Sequence, residues 1–200
     1  MAALTRGGAD PVIYAPDTPQ AHVVDHQTGQ EMQQKRNVLA ESARIARGAV
    51  KPLSELTSSC ADAVVFPGGF GAAKNLSDFG FKGTDMRVHA DVERVMKEFH
   101  QAGKPIALCC IAPVLAAKVF GQSQVKITLG KCGDEQKWPY GGALEAAGSF
   151  GANVVHSEVN EVCVDETHKI VTTPAYMYNG KFHEIQDGIG SMIKQLLKMM

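Results

Sequence analysis

The sequence predicts an α/β fold built around a mainly parallel sheet. Short, continuously apolar runs of strand length alternate with segments of helical period. The sharpest glycine and cysteine turns follow the ends of those runs, where ligands collect in such sheets. With 200 residues and 44% hydrophobic content, the chain reads as one domain spanning 1–200. Its 20 basic and 21 acidic side chains leave a net charge of −1, which excludes a whole-chain affinity for nucleic acid or anionic membrane. No apolar run approaches a membrane span, and the N-terminus carries no secretory or Arg/Ser-rich leader pattern. Five cysteines without a C-x-x-C pair argue for free thiols, with no metal site.

The elements follow in order. Val12-Ile13-Tyr14 is a short strand ending at Pro16, and residues 31–47 read as a helix stopped by Gly48. Asp62 to Phe66 is a compact apolar strand, broken by Pro67-Gly68-Gly69. The clearest helix runs from Asp85 to Ala102. Val88, Val92, Val95, Met96 and Phe99 form one stripe, and Gly103 and Pro105 mark the stop. Pro105 to Cys109 is a buried-type strand, and Pro113 suits the first turn of a helix continuing through Val114 to Phe120. Val125 to Leu129 is a third strand. Val162–Val164 and Ile170–Thr172 flank a hairpin, and Phe182 to Leu197 is a final amphipathic helix.

Cys110 stands between an apolar strand and a helix, the setting of a nucleophile elbow. Backbone N–H groups at such a turn favour an anion and can hold an oxyanion. The competing reading is a small buried hydrophobe, the usual role of a free cysteine. Cys109, one residue earlier, points into the sheet layer. The Gly68-Gly69-x-Gly71 loop permits close backbone approach and reads either as a donor loop facing Cys110 or as a plain tight turn. It matches neither a dinucleotide fingerprint nor a Walker A loop. A thiol nucleophile needs a base. His89 and His100 are expected on a solvated helix face, and His22 and His26 near a loop. His156-x-Glu158 copies an amidotransferase pattern too early in the chain. No secure Cys–His pair is legible.

Val64-Val65-Phe66-Pro67-Gly68-Gly69, Gly71-Ala72-Ala73-Lys74-Asn75-Leu76 and Cys110-Ile111-Ala112-Pro113 together resemble the DJ/PfpI superfamily of class I glutamine amidotransferase-like domains. Within it the chain is similar to the isoprenoid-biosynthesis glyoxalase branch and its mitochondrial relatives. Further matches are Asn37-Val38-Leu39, Val171-Thr172-Thr173-Pro174-Ala175-Tyr176 and Lys137-Trp138-Pro139-Tyr140. The resemblance implies a flavodoxin-like three-layer sandwich, with Cys110 as the catalytic thiol. The N–H groups of Gly69 and Ile111 then form the oxyanion site, beside Gly68. It also implies cofactor-free conversion of a small aldehyde or dicarbonyl substrate to a hydroxy acid, a mitochondrial location and a homodimer.

The family pattern opens with a strand and a glutamate-bearing loop, whereas Met1 here falls within what resembles the following helix. The expected fold is therefore N-terminally truncated, lacking its first, central strand, and its glyoxalase-like turnover is weak or absent. Gly130-Lys131 stands where some relatives carry a histidine, so a Cys–His hydrolase is not expected. Glutamine amidotransfer is not expected either. The alternative is a non-catalytic mitochondrial scaffold or a thiol redox sensor at Cys110.

Overall fold

Strand β4 (Ile106–Cys109) is buried along its whole length, and its alternating side chains divide the interior in two. Ile106 and Leu108 face the larger core, and Ala107 and Cys109 the smaller. This arrangement comes from a computed structural model describing residues 1–200. In chain order the remaining elements begin with α1 (Ala2–Arg6), β1 (Ile13–Ala15), α2 (Val38–Ile45), β2 (Val50–Pro52) and β3 (Val64–Phe66). Then come α3 (Phe70–Lys74), α4 (Phe79–Lys82) and α5 (Ala90–Gln101). After β4 follow α6 (Pro113–Phe120), β5 (Lys126–Ile127), α7 (Gly141–Ser149), β6 (Asn153–Val154), β7 (Cys163–Asp165), β8 (Ile170–Thr173) and α8 (Phe182–Met199).

The main sheet has the order β3-β4-β8-β7. Its first two pairings are parallel, and β7 joins β8 as an antiparallel hairpin. Helices α5, α6 and α7 supply Val92, Phe99, Leu115 and Ala147 to the larger core. Helix α8 covers the opposite face with Ile185, Met192, Ile193 and Leu196. The result is the expected α/β sandwich, helices on both faces of a mostly parallel sheet. A second parallel pair, β1–β2, stands apart from it. Strand β3 pairs only with β4, and β1 only with β2. No helix is long and apolar enough to cross a membrane.

Five sequence expectations are corrected. The helix expected over 31–47 begins only at Val38. Asn37 is extended there (φ −110°, ψ 135°), and its side chain accepts the Ala40 N–H, which caps the helix. The preceding polar stretch instead makes isolated bridges, Val24 with Glu31 and Pro19 with Asn37. The helix expected from Asp85 starts at Ala90, because Val88 bridges Ser77 and His89 Nδ1 accepts the Asp91 N–H. At the other end Gly103 takes φ +67°, as a C-terminal stop requires. Phe182, expected on the buried stripe of the last helix, is 83% exposed.

Strand β5 is also shorter than expected, and side chains fasten it to the main sheet. Asp165 Oδ2 accepts the Lys126 N–H at 2.7 Å, and Thr172 Oγ1 accepts the Thr128 N–H at 2.8 Å. Asp165 also accepts the His168 N–H and meets the His168 ring at 2.8 Å. Burial opposes its ionisation, yet these donors hold the carboxyl below the ordinary carboxylate range. His100, expected on a solvated helix face, is half-buried instead. Its ring lies 4.8 Å from Phe120 and 5.5 Å from His168. Burial first, and then the neighbouring His168, hold it below the ordinary imidazole range.

Asp165→Ala removes the clamp on β5 and should cost about 2 kcal/mol of stability, measured by urea unfolding. The depressed His100 means that the unfolded chain takes up a proton the folded chain resists. Stability should therefore fall as pH drops from about 7 to about 5, and His100→Gln should flatten that part of the profile.

Candidate functional site

The site grows from the carboxyl end of β4. The β4–β8 register sets Cys109 opposite Thr173, and the ladder runs one residue further, with the Cys110 N–H donating to the Thr173 carbonyl at 3.1 Å. The Ala112 N–H donates to the Cys109 carbonyl at 3.1 Å, closing a tight turn around Cys110. Pro113 then opens α6, needing no N–H partner there. Held on both sides, Cys110 takes φ +61°, a left-handed conformation that costs a non-glycine residue roughly 1–2 kcal/mol. Two residues beyond β8, buried Ala175 is similarly strained, with φ +46°. No local sequence signal marks that second position.

Gly68 and Gly69 come to this turn from the end of β3. A Cβ on Gly68 would lie 2.4 Å from Cys110 Cβ, 2.6 Å from the Cys109 carbonyl oxygen and 3.1 Å from Cys110 Sγ. Only glycine lets the two loops approach this closely. Gly69, at φ +84°, faces open space. The backbone N–H groups of Gly69 and Ile111 make no hydrogen bond within the chain. Cys110 and Ile111 are half-buried, whereas Cys109 packs in the smaller core, where burial pushes its thiol up.

The histidines lie elsewhere in the interaction network. His22 Nδ1 is 3.3 Å from Lys74 Nζ, and its ring meets Phe81 edge-on at 4.8 Å. His89 caps α5, and His168 pairs with Asp165. His156 stands 3.8 Å from Cys132 Sγ, and Glu158 forms an ion pair with Lys131. The one thiol–imidazole contact in the chain is thus at Cys132, and no imidazole or carboxylate hydrogen-bonds Cys110. The Cys132–His156 pair escaped the sequence because its members are far apart in the chain. No three His, Cys, Asp or Glu side chains converge as metal ligands.

A cysteine at a strand-to-helix turn, facing a glycine loop in a flavodoxin-like α/β sandwich, can be set beside known proteins. No protein-family model matches the chain. The human glutamine amidotransferase-like class 1 domain-containing protein 3, mitochondrial, is 54% identical over 198 residues, covering 98% of this chain and 73% of that protein. The zebrafish mitochondrial ES1 protein is 40% identical over 207 residues, covering 98% and 76%. Among solved structures, an isoprenoid biosynthesis protein with an amidotransferase-like domain from Ehrlichia chaffeensis superposes with a TM-score of 0.88 at 29% identity, covering 100% of this chain and 89% of that one. A DJ-1 superfamily protein from Agrobacterium tumefaciens shares the fold, with a TM-score of 0.54 at 16% identity, covering 100% and 81%. The chain belongs to the family of mitochondrial glutamine amidotransferase-like class 1 domain proteins, which has the DJ-1/PfpI fold.

Gly68→Ala forces a methyl group into Cys110 Cβ and a carbonyl oxygen. It should lower stability by about 2 kcal/mol or more in urea unfolding, as overpacked sites do. It should also change the rate at which Cys110 reacts with a thiol reagent, whereas Gly71→Ala, in open space, should change neither.

Proposed function

We propose that the chain is a cofactor-free, glyoxalase-like protein of mitochondria, in which Cys110 adds to small dicarbonyls. The carrying observation is the left-handed Cys110 at the β4–α6 turn, packed against Gly68 and flanked by the unpaired N–H groups of Gly69 and Ile111. Sulfur attack on one aldehyde carbon of glyoxal forms a hemithioacetal, and the proton lost from the thiol ends on the new hydroxyl. The two N–H donors can stabilise negative charge developing on that oxygen. A proton then moves from the hemithioacetal carbon to the second carbon, giving a thioester of glycolate. Water releases the acid and returns the thiol.

The proton shift between carbons needs a positioned base, and general acid–base help is commonly worth 10²–10⁴-fold. With no imidazole or carboxylate bonded to Cys110, solvent carries that proton and turnover is slow. A second reading, in which Cys110 serves as an oxidation-sensitive thiol, draws on its half-buried, solvent-reachable position next to unpaired N–H donors. That reading calls for faster oxidation of Cys110 than of buried Cys109 under dilute peroxide, followed by peptide mass spectrometry.

Cys110→Ser should abolish glycolate formation from glyoxal, measured by chromatography, while leaving the urea midpoint nearly unchanged. Cys132→Ser should leave glycolate formation intact. Undiminished turnover in Cys110→Ser would refute the assignment.

A further inference from the structure

Away from Cys110, a second thiol stands beside a base. Strand β5 leaves the sheet through Gly130, whose φ of +97° and close contact with the Trp138 ring leave no room for a Cβ. The Gly130 carbonyl accepts the Ser157 N–H, and Lys131 pairs with Glu158, so the segments after β5 and β6 are tied together at two points. Next to those ties Cys132 Sγ lies 3.8 Å from His156 Nε2, both side chains open to solvent. They help line an open surface cleft of about 310 Å³, with Leu144, Ala152 and Val154 as further apolar lining and Gly141 and Gly148 of α7 beside them. Glu145 also borders the cleft.

The other cysteines lack this combination. Cys109 and Cys163 are buried. Cys60 is exposed, and Thr57 at 3.2 Å, with Ser59 and Lys51 nearby, holds its thiol below the ordinary range, but no imidazole stands beside it to take up a proton. Cys110 has no imidazole partner. A soft thiol, an adjacent imidazole and an apolar cleft match one class of ligand: an α,β-unsaturated aldehyde with an alkyl tail.

We propose that Cys132 and His156 form a second, independent site that captures such alkenals by conjugate addition. Nε2 of the neutral imidazole accepts the thiol proton as sulfur attacks the β-carbon. A sulfur–carbon bond forms, and the alkene electron pair shifts to the α-carbon through an enolate. The proton returns from His156 to that α-carbon. No atom leaves, no oxidant or reductant is consumed, and the aldehyde remains on the adduct. The alkyl tail lies against Leu144, Ala152 and Val154.

The test treats the full chain with a limiting amount of trans-2-nonenal or of tailless acrolein, traps adducts by borohydride reduction and maps them by peptide mass spectrometry. Nonenal should label Cys132 about tenfold faster than Cys60, a modest fraction of what a positioned base can contribute. Acrolein should show a smaller preference, since it has no tail to bury. His156→Ala should bring Cys132 down to the rate of Cys60, while Cys110→Ser should leave Cys132 labelling unchanged. Equal labelling of Cys132 and Cys60 by nonenal, or a preference that survives His156→Ala, would overturn the site. An equal preference with both aldehydes would overturn the tail assignment. Because both residues are exposed, an unchanged thermal melt in each variant verifies that the fold is intact.

Discussion

The parallel pairing of β4 with β8 is the constraint on which the rest of the molecule depends. Every residue of both strands is buried, so their backbone groups have no water to turn to and must pair with each other. That requirement fixes the register, with Cys109 opposite Thr173, and carries one more hydrogen bond to the Cys110 N–H. The two cores form on either side of this pair, α5 to α7 on one face and α8 on the other. A left-handed cysteine persists at the strand end because the ladder behind it and the turn ahead of it over-determine its backbone.

In the proposed function, the chemistry at Cys110 is supplied mainly by backbone. Gly68 allows contact and the neighbouring N–H groups supply donors. The ionisable side chains are used elsewhere, chiefly to hold elements together. Asp165 clamps β5 and interacts with His168, and Arg94 of α5 reaches the carbonyls of Leu53 and Leu56. A site made this way can polarise a carbonyl but has little capacity to move protons, whereas the Cys132–His156 pair has a base and no comparable turn.

Much of this was legible in sequence where the signal is local. The Val92, Val95, Met96 and Phe99 stripe, the Gly103 stop, Pro113 at a helix start and the 163–173 hairpin all reflect neighbouring residues, and all have their structural counterparts. Cys110 beside Gly68 followed from two glycine- and cysteine-bearing turns at strand ends. Helix α7, rich in alanine and glycine, has little amphipathic contrast, so no periodic stripe marks it in the sequence. The stretch before Val38 reads as helix in the sequence but is extended, because its polar residues leave helix and loop nearly equal in local preference. Isolated bridges to other parts of the chain settled it.

By itself, then, the sequence determined the alternation of strands and helices, the buried stripes and the turn residues at the strand ends. These depend on side-chain period and local backbone freedom. Tertiary structure alone decided which histidine meets which partner. It placed His100 against Phe120 and His168, His156 against Cys132, and no imidazole at Cys110. Such pairings depend on how segments dozens of residues apart are packed, and no spacing along the chain encodes the distance between them.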